Sequence, residues 1–293
     1  MQLWGTVLFG FGLMVCAGDA KNDNILMTGL LKLLRRKAAP PIAPKAQVLE
    51  PYDYPIVGLR GKQHVVCWFV CRTGEKDFTE RQKRSLLKEL DKAKAWLATQ
   101  AEAYGFDLAF TPTTCFGFDH TLFIDEVPSG MGDLNEASFK NTLVQRMRWA
   151  SQGALFANIL IRNGANNAVS LVFISSPGRS FASQADEYER ERTFSTAFVY
   201  KQTSESGSYG SIITHELLHL HGAIDLYAEN GKYGEQYSHA LRLYPTDIML
   251  HSQMPLCDAT AGPFTAYLVG WHNPTIIINR GKWPAVFQKF RRE

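Results

Sequence analysis

The stretch Thr214–Tyr227, THELLHLHGAIDLY, constrains this chain more than any other. Leu217, Leu218 and Leu220 give it the apolar character of a buried helix, yet it also carries His215, Glu216 and His219. Four residues of α-helix turn about 400° and rise about 6 Å, so both imidazoles leave the same face. Two unpartnered histidines and a glutamate inside such a helix cost several kcal/mol, and a shared cation removes that cost. The spacing is what two zinc ligands need, each roughly 2 Å from one ion. Glu216 is turned about 100° from His215. There it can reach a metal-bound water as general base without ligating the metal. Gly222 comes three residues after His219 and accepts the left-handed conformation that ends a helix and reverses the chain. The reversal brings back Asp225, whose oxygen can serve as third ligand. Two surface histidines on a helix flank are the bland alternative, and that reading leaves the leucine-rich context unexplained.

By composition alone, H-E-x-x-H arises in about one chain in a hundred of this size. Adding the glycine and the acidic residue lowers that to roughly one in ten thousand. The pattern H-E-x-x-H-x-x-G-x-x-D resembles the metzincin clan of zinc peptidases, with Asp225 where the usual motif ends in His. In this it is similar to the snapalysin-like and immune-inhibitor-A-like families, and the Asp-Leu-Tyr continuation resembles the latter. The resemblance covers about forty residues, Ser211–Leu250, and implies a methionine-containing turn beneath the metal. YPTDIML (Tyr244–Leu250) is similar to that turn, with Met249 as its methionine. The resemblance further implies Zn2+ as cofactor, a protein or peptide substrate, and an α+β fold. In that fold a twisted mixed sheet with packed helices carries an active-site helix and a C-terminal subdomain. Its edge strand would run antiparallel to substrate, and Thr193–Lys201 is the candidate.

Along the chain, HVVCWFVC (His64–Cys71) reads as a central strand. Asp77 and Glu80 resemble a capping box, and Leu86, Leu90, Ala93, Leu97, Ala101 and Tyr104 follow at helical spacing up to Gly105. One or two strands are expected between Phe106 and Val127, broken near Gly117. A second helix is expected over Asn135–Gln152, ending at Gly153. Ala168–Ser175 reads as a buried strand and Thr193–Lys201 as an edge or near-edge strand. Helices are expected over Tyr209–His221 and Phe264–Trp271. Strands alternating with helices predict a layered α/β or α+β domain over residues 51–293.

Residues 1–50 read as a leader and linker. Leu3–Gly18 is nearly all apolar, but no Lys or Arg precedes it, so the basic start of a signal peptide is missing. The basic residues come afterwards, which favours a cytoplasmic main body; secretion or membrane anchoring through residues 3–18, or a true start at Met27, are the alternatives. LMTGLLKLLRRK offers a membrane-surface contact or a solvated helix, and AAPPIAPKAQ an extended linker. Lys plus Arg is 31 against 28 for Asp plus Glu, and no basic stripe appears, which argues against nucleic acid. The five scattered cysteines suggest no disulfide framework; Cys67 and Cys71 read as buried thiols in a reducing compartment.

Among the weaker candidates, His221 lies on another face of the helix. Glu229 or Glu235 would be ligands only if Gly222 had no role. His251 or Tyr227 could donate to a developing oxyanion. The expected function is zinc-dependent hydrolysis of peptide bonds. The alternatives are a non-catalytic zincin-like binding module, or an effector protease with one partner protein as substrate.

Overall fold

The computed structural model describes residues 58–130, 132–184, 194–202, 209–227 and 234–271. All belong to the unit Glu50–Glu293. The expected leader and linker, and its apolar and basic segments, lie outside the described residues. No helix among the described residues is long and apolar enough to cross a membrane.

Strand β1 (Gly61–Arg72) is buried on both faces from Gln63 to Cys71, as its unbroken apolar run requires of a central parallel strand. Three short strands line one of its edges in succession, all parallel: β2 (Leu108–Phe110), β3 (Thr114–Phe116) and β4 (Leu122–Ile124). Gly117 divides β3 from β4 with φ +75°, and a Cβ there would lie 2.6 Å from the Phe69 carbonyl. Along its other edge β1 pairs with β5 (Asn167–Pro177), from Gln63↔Asn167 to Val70↔Ile174. Two strands complete the sheet, β6 (Phe181–Ser183) and β7 (Thr196–Lys201), the first antiparallel and the second parallel to its neighbour. The order β2-β1-β5-β7-β6 makes a mixed sheet, as the sequence predicts.

Strand alternation divides the core. Val65, Cys67 and Phe69 face α1 (Glu80–Ala103), whose Leu86, Leu90, Ala93, Leu97 and Ala101 form the predicted stripe. The same layer holds α4 (Tyr209–His219), α5 (Gly234–Leu243) and α6 (Pro263–Leu268). Val66, Trp68 and Val70 face α2 (Glu136–Arg146) and α3 (Gln152–Asn163). Each fully buried large side chain here contributes about 1.5–3 kcal/mol. Cys67 and Cys71 are buried free thiols.

Several expectations are corrected. The capping box uses Thr79 and Gln82, since Thr79 is the last residue in extended conformation before α1. The helix expected over Asn135–Gln152 is two helices. Met147 closes α2, Arg148 adopts φ +60°, and the Ser151 hydroxyl accepts from the Ala154 amide at 3.1 Å to start α3. Gly153 therefore lies inside a first turn, and Gly164 ends the helix instead. β7 has the near-edge position expected of it, but among the described residues the outermost place beside it belongs to β6, which covers its Thr196–Phe198 side; Thr193 lies outside the described residues. The last helix stops at Leu268, and Trp271 packs as a buried side chain beyond it.

Candidate metal centre

Helix α4 is buried from Gly210 to Leu218, so it must enter and leave with its polar groups satisfied. At its start the Gly210 amide donates to Glu89 of α1 at 3.2 Å, and the Ser211 hydroxyl donates to the Met254 carbonyl at 2.5 Å. At its end Gly222 takes φ +99°, and the Ala223 amide returns to the Leu218 carbonyl at 3.1 Å. The chain reverses there, as the glycine predicts.

The reversal places Asp225 against the two histidines. Its Oδ1 lies 3.0 Å from Nε2 of His215 and 3.0 Å from Nε2 of His219, and the two Nε2 atoms are 3.1 Å apart. The three residues form the one group of this kind among the described residues. Ligand atoms 2.0–2.1 Å from a tetrahedral ion lie about 3.3 Å from one another, so this triangle is within a few tenths of an ångström of a zinc-binding face.

Each imidazole is oriented from behind. His215 Nδ1 donates to the Ile248 carbonyl at 3.0 Å, and His219 Nδ1 donates to the Ala223 carbonyl at 2.9 Å. A carbonyl only accepts, so both Nδ1 atoms carry a proton, and in the neutral tautomer that this leaves each ring turns a bare Nε2 lone pair toward Asp225. Three acceptors thus converge on one point, an arrangement that a cation stabilises and that otherwise repels. A proton shared between an imidazole Nε2 and the Asp225 carboxylate relieves the same repulsion. Burial works to lower the His219 pKa, but the Asp225 hydrogen bond and charge outweigh it and hold it above the ordinary value. Burial likewise pushes Asp225 up, yet hydrogen bonds from His215 and His219 hold its carboxyl well below the carboxylate range.

Glu216 neighbours this triangle. It is 5% exposed, and its Oε2 is buried with no hydrogen-bond partner among the described residues. Burial raises its pKa, an effect opposed by the nearby His215 and His219. A buried carboxylate oxygen without a partner among the described residues, beside three converging ligand-type atoms, fits a water as its missing partner. The open side of the centre runs over His219 and Asp225, whose side chains are 18% and 26% exposed against 2% for His215.

Met249 is fully buried, in a turn whose backbone carbonyls reach His215 and the neighbour of Asp225. Ile248 orients His215, and the Met249 carbonyl accepts from the Leu226 amide at 2.9 Å, which fixes the residue next to Asp225. The turn itself is organised by Asp247, fully buried, which accepts from the Met249 amide, the Gly262 amide and the Thr265 hydroxyl, each at 2.8 Å. Burial pushes the Asp247 carboxyl up to about 6 against those three hydrogen bonds. Sequence reading missed Asp247, although an Asp after Pro-Thr, two residues before the methionine, is a turn-forming signal.

Sequence reading also missed two residues near β6. Gln184 donates to the His219 carbonyl at 2.5 Å, and Arg179 donates to the Tyr227 hydroxyl at 3.2 Å. Of the weaker candidates, His221 is buried and stands apart from the ligand triangle. His251 and Tyr227 border a cavity of about 680 Å³ together with Met254 and Pro255. Glu229 and the Glu235 side chain lie outside the described residues. His64 is buried between the Thr111 and Thr114 hydroxyls, at 2.6 and 3.0 Å.

No protein-family model matches the chain, and no curated protein matches it.

Proposed function

We propose that the chain is a zinc-dependent peptidase of the metzincin type, with His215, His219 and Asp225 as ligands and Glu216 as general base. The observation that carries this reading is the convergence of two imidazole lone pairs and a carboxylate oxygen on one point, with both Nδ1 protons committed to backbone carbonyls. Zinc held by His215, His219 and Asp225 would supply Lewis-acid activation of a water and of a substrate carbonyl. Glu216 takes a proton from the attacking water and passes it to the leaving amine. Burial raises its pKa, which makes the carboxylate a better proton acceptor than a solvated one.

A peptide substrate also suits the sheet. β6 is an edge strand among the described residues, the one on the β7 side, and Gln184 ties its end to the carbonyl of His219. An extended peptide can add to such an edge by main-chain hydrogen bonds, beside the open side of the centre. A purely structural zinc site does not need Glu216, whose buried and unpartnered oxygen only costs stability there.

The test is Glu216→Gln in the zinc-loaded protein, assayed on unfolded proteins and a mixed peptide library with a chelator control. The variant keeps its zinc and loses cleavage by a factor of about 10² to 10⁴. Cleavage at the wild-type rate by Glu216→Gln would rule out this mechanism.

A further inference from the structure

Sheet register sets two cysteines side by side. β3 runs parallel to β1 with the pairs Val66↔Thr114, Cys67↔Cys115 and Trp68↔Phe116. Residues paired in register on neighbouring strands leave the sheet on the same face, and the next pair leaves on the other. The rings of Trp68 and Phe116 accordingly meet with centroids 4.6 Å apart, in the layer of α2 and α3. Cys67 and Cys115 both pack into the opposite layer, that of α1. Neighbouring strands lie about 4.8 Å apart, inside the range of roughly 4.4–6.8 Å over which two Cα atoms can be joined by a disulfide. His64 helps hold this register, with its ring nitrogens 2.6 and 3.0 Å from the Thr111 and Thr114 hydroxyls. Cys71, further along β1, is directed elsewhere, at the Arg72 and Glu75 carbonyls.

Both thiols are free, and they differ in access. Cys67 is fully buried on the central strand; Cys115 is half-buried on a strand that pairs only with β1 among the described residues. A cation stands near the accessible one: the Lys94 ammonium donates to the Thr113 hydroxyl at 2.9 Å, two residues before Cys115. We propose that Cys67 and Cys115 are a redox-active pair, oxidised to a disulfide by a hydroperoxide and restored by a dithiol reductant. The Cys115 thiolate attacks one peroxide oxygen, the O–O bond breaks, and the leaving hydroxide takes up a proton as water. The Cys67 sulfur then attacks the Cys115 sulfenic acid; the S–O bond breaks, and the hydroxide leaves with the Cys67 proton as a second water. The pair gives up two electrons and the peroxide receives them. A dithiol reductant returns two electrons by thiol–disulfide exchange and departs as its own disulfide. The order of attack follows from access, since a fully buried thiol does not meet peroxide first. The neighbouring Cys67, then the Lys94 charge, also hold the Cys115 thiol below its ordinary pKa against burial, whereas burial pushes Cys67 up. A resolving thiol in register removes the sulfenic acid before a second peroxide carries it further. The link ties β1 to β3 around α1, which lies between them in the chain.

The test exposes the reduced full chain to a small excess of hydrogen peroxide, blocks the remaining thiols by alkylation, digests without reduction and maps every cysteine by mass spectrometry. The expected wild-type product is a linked peptide pair joining Cys67 to Cys115 within one chain, which dithiothreitol separates again. In Cys67→Ser, Cys115 stops at the sulfenic acid and is trapped by dimedone. In Cys115→Ser, Cys67 is oxidised at least about 10-fold more slowly than in the wild type. Cys115→Ser changes a half-buried position, so it carries the test even where the serine at the buried position disturbs folding. Wild-type protein in which both cysteines survive peroxide as thiols overturns the proposal. So does Cys115 carried to the sulfinic acid beside an untouched Cys67, or Cys115 joined to Cys71, to Cys257 or to a second chain. Cys67 oxidised as fast in Cys115→Ser as in the wild type overturns it as well, since the buried thiol would then react alone.

Discussion

Ile248 and His215, 33 residues apart, meet through a single hydrogen bond of 3.0 Å from the imidazole Nδ1 to the backbone carbonyl. That bond sets the tautomer of His215 and aims its Nε2 at His219 and Asp225. The next carbonyl along, that of Met249, holds the Leu226 amide beside Asp225. Two consecutive carbonyls of one turn thus hold His215 on the helix and Leu226, the neighbour of Asp225, on the chain after it.

Asp247 holds that turn, so its loss is expected to act on both stability and the proposed metal site. Asp247→Ala leaves two buried amides and a buried hydroxyl without their acceptor, and destabilises the fold by about 3 kcal/mol or more. Asp247→Asn keeps one acceptor oxygen and loses less. Urea denaturation of the three proteins measures the order. An alanine variant as stable as wild type would show that the turn is held by other contacts.

Gly222 carries the reversal at φ +99°. Gly222→Ala puts a Cβ into that conformation at a cost of roughly 1–3 kcal/mol, and displaces the Ala223 carbonyl from His219 Nδ1. The expected result is a lower melting temperature together with weaker zinc binding. Unaltered zinc affinity would separate the reversal from the positioning of the ligands.

His64 gives a pH signature away from the metal. Burial, then the charge of Lys94, lowers its pKa from 6.5 to about 4. As pH falls below 6.5 the unfolded chain takes up the proton and the folded one does not, so stability is lost between 6.5 and about 4. Above 6.5 the stabilising contribution is complete. Relative to His64→Gln, which does not titrate, the wild type loses about 3 kcal/mol over that window. Urea unfolding at several pH values reads the gap between the two proteins. A gap independent of pH, or one that widens in acid in favour of the wild type, would contradict the assignment.

Elements set by a long local pattern were legible in the sequence. The apolar run of β1, the stripe from Leu86 to Ala101, the break at Gly117 and the reversal at Gly222 all follow from side-chain period or from glycine. The two helices hidden in one expectation were not, because the break depends on Arg148 taking a left-handed conformation that its residue type disfavours. β6 has three residues, too few to show alternation, and it is defined by pairing with β7. At the candidate site, His215, His219, Glu216 and Asp225 are separated by fixed local geometry, so spacing could relate them. Asp247, Gln184 and Arg179 act through partners brought close only by the folded chain, and no local spacing reports that.

The account turns on a cation held jointly by His215, His219 and Asp225. The direct measurement is metal content after zinc loading and dialysis, by elemental analysis, for the wild type and for His219→Ala with its fold verified by circular dichroism. One zinc ion per chain is expected in the wild type, and its loss in the variant. A well-folded wild type that retains no zinc, or a His219→Ala variant that retains as much as wild type, would contradict it.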